Sequence, residues 1–97
     1  MTSKQRAYLR GLANGIDAIF QIGKSGISDN QIQQLKDALE ARELIKISVL
    51  ETAPYSAKEL GQEIANLTNS ILIQTIGNKI TLFKQKKEDS KINLPTK

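Results

Sequence analysis

Apolar residues recur along this 97-residue chain with two spacings, and the changes from one spacing to the other mark out seven elements. Leu9, Leu12, Ala13 and Ile16 follow the three-and-four spacing of a helix face, predicting a helix over 3–13. Thr2 and Gln5 have the form of a capping box at its start, and Asn14-Gly15 is a plausible stop. Alternation then takes over. Residues 17–22 read as a strand, with Ala18, Phe20 and Ile22 on one face and Ile19 and Gln21 on the other.

The same punctuation repeats twice. A second helix begins at Ser28, with Gln31 completing a box and Ile27 facing Ile32 as a hydrophobic staple; Ile32, Leu35 and Leu39 form its stripe to about Ala41. Residues 44–51 form a strand with Ile45, Ile47 and Val49 on one side and Lys46 and Ser48 on the other. A third helix starts at Ser56, boxed by Glu59 and stapled by Tyr55 and Leu60, with Leu60, Ile64 and Leu67 as its stripe. Gly61 inside it weakens the helix by roughly 1 kcal/mol relative to Ala, for no reason visible in the sequence. Strands over 71–76 and 79–84 are joined by Gly77-Asn78, a two-residue turn that needs positive φ at its first central position. The order α-β-α-β-α-β-β predicts an α/β fold: one mixed four-stranded sheet with three helices. Each β-α-β step should make parallel neighbours, and the last hairpin antiparallel ones. Residues 1–84 form a single domain in this reading. Residues 85–97 look like a basic, polar tail, in which Ile92 and Leu94 could dock back.

Composition narrows the chemistry. With no Cys and no His, thiolate metal sites, cysteine nucleophiles and imidazole acid–base catalysis are excluded, and no acidic pair converges in the pattern. No catalytic residue, metal ligand or cofactor is expected. The longest apolar run, Ile71-Leu72-Ile73, is far short of the ~18 residues of a membrane span, and no apolar segment follows the N-terminus, so a cytoplasmic protein without a membrane partner is expected. The net charge of +4 is unevenly spread: residues 1–27 carry +3, residues 28–70 carry −3 and residues 71–97 carry +4. Basic ends around an acidic middle give a polarised surface if the ends meet in the fold.

Gly23-Lys24-Ser25-Gly26 stands between a strand and a capped helix. Its glycines allow close backbone approach, and the helix start behind it offers N–H groups and the positive end of a dipole. A nucleotide P-loop would need glycine where Ala18 stands, inside the strand. Two readings remain on residues alone: a G-x-x-G loop clamping a nucleic-acid backbone, as in KH domains, or a tight strand-to-helix turn.

Longer segments carry a resemblance. Residues 4–13 (Lys-Gln-Arg-Ala-Tyr-Leu-Arg-Gly-Leu-Ala), 21–27 (Gln-Ile-Gly-Lys-Ser-Gly-Ile), 38–47 (Ala-Leu-Glu-Ala-Arg-Glu-Leu-Ile-Lys-Ile), 76–80 (Ile-Gly-Asn-Lys-Ile) and 91–95 (Lys-Ile-Asn-Leu-Pro) resemble, in order, the bacterial YhbY-like family of stand-alone CRM domains. The resemblance implies a fold like the C-terminal domain of bacterial translation initiation factor three. It also implies an RNA-binding protein associated with precursors of the large ribosomal subunit, with the loop at Gly23, Lys24, Ser25 and Gly26 as the RNA contact. Asn14 departs from the family, whose members often carry His there.

Phosphate contacts are then expected from Lys24, from Arg6 and Arg10 one turn apart on the first helix, and from Arg42, Lys46, Lys79 and Lys84, with Lys86 and Lys87 beyond. Four scattered aromatics give no recognisable stacking platform, so backbone-led binding with marked salt dependence is expected of a monomer. The alternative is a protein-interaction module that reaches the ribosome through a protein partner, using Asp29, Asp37, Glu40, Glu59 and Glu63.

Overall fold

Three side chains start the three helices. Thr2, Ser28 and Ser56 each accept a hydrogen bond from the backbone N–H three residues on, while Gln5, Gln31 and Glu59 reach back to the cap's own N–H. In the Ser56 box the backbone and hydroxyl donors of Ser56 hold the Glu59 carboxyl below its ordinary pKa. In the computed structural model, which describes residues 1–86, 90, 92, 94 and 95, these caps open α1 (Ser3–Ala13), α2 (Asp29–Arg42) and α3 (Ala57–Thr68).

The strands are β1 (Phe20–Ile22), β2 (Leu44–Val49), β3 (Ile71–Ile76) and β4 (Lys79–Phe83), in the spatial order β1-β2-β4-β3. β1 and β2 are parallel; β4 is antiparallel to both β2 and β3. The parallel β2–β3 neighbours expected from the chain order are therefore absent, because β4 lies between them. Burial explains the exchange. Ile80, Thr81, Leu82 and Phe83 are all buried and suit a central strand, whereas β3 leaves Ile71 and Ile76 exposed and suits an edge. Gly77, at φ 56°, makes the hairpin turn that inserts β4. The first strand is shorter than the alternation suggested, beginning at Phe20, and the second stops at Val49.

Apolar cores lie on both faces of the sheet. Ile22, Ile45, Ile47, Val49, Ile80 and Leu82 pack under α2 and α3, through Leu35, Leu39, Leu60 and Ile64. On the other face Leu44, Ile73 and Phe83 meet Leu9 and Ala13 of α1, with Ile16, Ile92 and Leu94 against them. The apolar pair in the predicted tail thus docks beneath α1, and Gln5 Nε2 donates to the Pro95 carbonyl at 2.8 Å. Lys87, Lys91 and Asn93, singled out in the sequence, lie outside the described residues. Leu12 and Leu67 fall off their helices' buried stripes and are exposed.

The β3–β4 register shifts between Leu72 and Gln74, leaving Ile73 without a partner as a β-bulge. Arg6 closes that irregularity: its Nη1 donates to the carbonyls of Leu72 and Ile73 at 2.6 and 3.0 Å. The edge strand also accounts for Gly61. A Cβ on Gly61 would lie 3.0 Å from Thr75 Cγ2 and 3.1 Å from Leu72 Cδ1, so glycine lets α3 press onto the edge strand. Gly61→Val should lower unfolding free energy by about 1–3 kcal/mol through overpacking, measured by urea denaturation. An unchanged midpoint would show that the edge strand yields freely.

Candidate nucleic-acid interface

The G-x-x-G segment is a tight turn at the end of β1. The Gly26 N–H donates to the Gly23 carbonyl at 2.9 Å, and Gly26 takes φ 70°. That geometry places Lys24 and Ser25 at the apex, both exposed, above a depression of about 460 Å³ that Ser28 and Gln31 also line. The start of α2 contributes less to an anion site than its position suggested. Its capping box already uses the N–H groups of Ser28 and Gln31, and Asp29 adds a negative charge to the first turn. The cation and hydroxyl at the apex are the exposed side-chain groups placed to meet a phosphate.

Pairing register identifies what lies beside the turn. Gln21 pairs with Ser48, and Ser48 with Lys79; Lys46 pairs with Thr81, and Thr81 with Gln74. Paired residues point to one side of a sheet, so these form two polar rows on the face that carries α1. Lys79 Nζ donates to Ser48 Oγ at 3.0 Å, which fixes its stem across the sheet. The row nearest the turn is Gln21, Ser48 and Lys79. The apolar row of Leu44 and Phe83, covered by α1, is four residues further, roughly 14 Å away at ~3.4 Å per residue.

The predicted cations divide accordingly. Lys24, Lys46 and Lys79 belong to the turn and the adjoining polar face. Arg6 and Arg10 stand on α1, which packs on that same face and has no acidic residue; Arg6 also holds the bulge carbonyls. Arg42 ends α2 just before β2, and Lys84 follows β4, so both lie at the opposite end of the sheet. Lys84 Nζ is 3.3 Å from Glu40 Oε1. Glu40 therefore pairs across the fold and not with its neighbour Arg42. Glu43, between Arg42 and β2, is 1% exposed and accepts bonds from Lys86 N and Ser90 Oγ. The acidic residues Asp29, Asp37, Glu40, Glu59 and Glu63 sit on α2 and α3, on the far side of the sheet. Among the described residues, these acidic side chains and the cations Lys46 and Lys79 thus lie on opposite sides of the sheet.

Residues 1–84 match the family described as the CRS1 / YhbY (CRM) domain. The chain belongs to that family. It is 45% identical over 95 residues to "Probable RNA-binding protein YqeI" of Bacillus subtilis, covering 98% of this chain and 99% of that one. A Haemophilus influenzae protein named "RNA-binding protein" is 29% identical over 97 residues, covering 97% of its length. A solution structure of a hypothetical protein from Staphylococcus aureus superposes with a TM-score of 0.81 at 48% identity, over 98% of this chain and 99% of that one. The CRM fold is therefore shared from α1 to β4. Among the described residues, no helix is long and apolar enough to cross a membrane.

The sequence pattern did not reveal three exposed apolar residues at the turn end. Tyr55, expected as a staple on Leu60, is 57% exposed, and Leu50 and Ile76 are exposed with it. A large apolar side chain outside a helical or alternating stripe was the available signal. It applied to Leu50, just past the end of β2, but Tyr55 was hidden by its place ahead of a cap.

Proposed function

We propose that this CRM domain is a non-catalytic, monomeric RNA-binding protein of the cytoplasm that associates with precursors of the large ribosomal subunit and assists their assembly. The observation that carries the reading is the exposed Lys24-Ser25 apex beside a sheet face whose charged residues are Lys46 and Lys79. The names of the Bacillus and Haemophilus relatives support RNA as the ligand. The RNA backbone crosses the turn, with Lys24 and Ser25 on phosphate oxygens, and continues over Lys79 and Lys46 toward Arg10 and the free edge of Arg6. Arg42 and Lys84, at the other end of the sheet, reach RNA only if the strand wraps the domain.

This arrangement favours backbone contact, so affinity should fall steeply with salt. About four phosphates neutralised give a slope of roughly −3 in log K against log salt for single-stranded RNA, readable by fluorescence anisotropy. Crosslinking in cells followed by sequencing of the attached RNA tests the biological half of the proposal. Adducts on large-subunit ribosomal RNA are the expected result. Recovery of protein partners without RNA would instead favour docking through the acidic face of α2 and α3.

A further inference from the structure

Leu50 and Tyr55, two of the exposed residues at the turn end, line a second depression, distinct from the one under the G-x-x-G apex. It has a volume of about 370 Å³ and lies between the β2–α3 loop and the β3–β4 hairpin, with Leu50, Glu51, Pro54, Tyr55, Gly77 and Asn78 among its walls. The two depressions adjoin. A Cβ placed on Gly26 would stand 3.6 Å from Pro54 Cγ, and one on Gly23 would stand 3.7 Å from Leu50 Cδ1. A backbone held at the apex therefore passes directly beside Pro54 and Tyr55.

We infer that this cleft takes a single unstacked nucleobase of the bound strand, laid against the Tyr55 ring and read along its edge by Glu51 and Asn78. The inference rests on the RNA-binding reading and adds a base-recognition site to it. Three features fit a base better than a phosphate or a peptide side chain. Tyr55 keeps 57% of its surface in water although its ring could have covered Leu60, so a flat apolar surface is left available. The wall next to it carries Glu51, whose negative charge repels phosphate but accepts hydrogen bonds from an exocyclic amine. Asn78 is held in place by its own backbone, since its carbonyl accepts from Val49 N at 2.7 Å, and its side-chain amide can both donate and accept. Its Nδ2 lies 3.4 Å from Ser48 Oγ, a long contact that a base edge can replace. Cytosine, adenine and guanine each present an exocyclic amine that suits Glu51; uracil has none, flanks its one N3–H with two carbonyl oxygens and is disfavoured.

The chain has no Trp, and its tyrosines are Tyr8 and Tyr55, so Tyr8→Phe leaves Tyr55 as the sole fluorophore of the intact protein. Adding short single-stranded oligoadenylate or oligocytidylate to that protein should quench the Tyr55 emission in a saturable way, and oligouridylate should bind several-fold more weakly. In the otherwise native chain, Tyr55→Ala should weaken oligoadenylate binding about tenfold, within the range for losing one stacked base, and Tyr55→Phe should restore it. Glu51→Gln should narrow the difference between adenine and uracil. If Tyr55→Ala binds like the native protein while Lys24→Asp does not, the base site is overturned and the RNA-binding reading stands. If the native protein binds none of these oligonucleotides, both fall. Equal affinity for oligouridylate overturns the assignment of Glu51.

Discussion

Replacing Lys24 and Ser25 together by aspartate is expected to abolish association with ribosomal particles and to weaken binding of short RNAs by at least about 100-fold. The double substitution removes one positive charge and places two negative charges at the apex of the turn. Two hydrogen bonds to charged phosphate oxygens are lost, each of order 1.5–3 kcal/mol, and ~1.4 kcal/mol corresponds to a tenfold change. The expected loss therefore exceeds what the change in overall charge alone would cause at physiological salt, where charges separated by more than ~8 Å are largely screened.

The fold should not register the change. Both side chains are exposed, the turn is closed by the Gly26–Gly23 backbone bond, and the positive φ belongs to Gly26. Surface substitutions of this kind usually stay within about 0.5 kcal/mol of the native stability. Substituting Gly26 would be a poorer test, because any L residue there is strained and a loss of binding would report a distorted turn. Arg42→Asp supplies the contrast. It removes a cation at the opposite end of the sheet and should leave short-RNA binding within about twofold, the size of a screened surface effect. Native-like binding by a folded Lys24→Asp, Ser25→Asp protein would remove the turn from the interface.

What the sequence disclosed and what it hid follow a physical division. Helix starts were legible because a capping box is complete within four residues, and all three boxes formed as read. The turn at 23–26 was legible for the same reason: strand, glycines and cap are consecutive. Strand order was not, because it depends on which of two hairpin strands has more apolar surface to bury, and 71–76 and 79–84 both alternate plausibly. Arg6 looked like a free cation because its carbonyl partners lie 66 and 67 residues away. Gly61 looked unexplained because its reason is the Thr75 methyl on β3, the strand that α3 covers. At the site, charge could be counted but not placed. The register puts Lys46 and Lys79 beside the turn and carries Arg42 and Lys84 away from it. Tyr55 escaped notice because a staple and a stacking surface share one local sequence and differ only in exposure.

The largest stability effect at a polar residue is expected at Glu43, through the C-terminal segment. Glu43 joins α2 to β2 at φ 67°, a conformation uncommon outside glycine, and it is buried. Its N–H donates to Leu39 O at 2.9 Å and its carbonyl accepts from Lys84 N at 2.8 Å, so the backbone is held on both sides. Its Oε2 accepts from Lys86 N at 3.2 Å and from Ser90 Oγ at 2.7 Å. Those two bonds turn the chain after β4 back toward α1, where Ile92 and Leu94 pack on Leu9, Ala13 and Phe83. Glu43→Ala keeps the positive φ but removes the acceptor of the Lys86 N–H and the Ser90 hydroxyl, each costing about 1–3 kcal/mol when left without a partner. Partial access of water to Ser90 reduces that loss, and a decrease of about 2–4 kcal/mol in urea unfolding is expected. Amide hydrogen exchange should locate it: Ile92 and Leu94 should lose protection first, with the α2–α3 face retaining its own. Because Glu43 is at the end of the sheet away from the turn, RNA affinity measured well below the unfolding midpoint should be unchanged. Native stability in Glu43→Ala, or loss of RNA binding in a folded Glu43→Ala protein, would show that the role of the C-terminal segment is not purely structural.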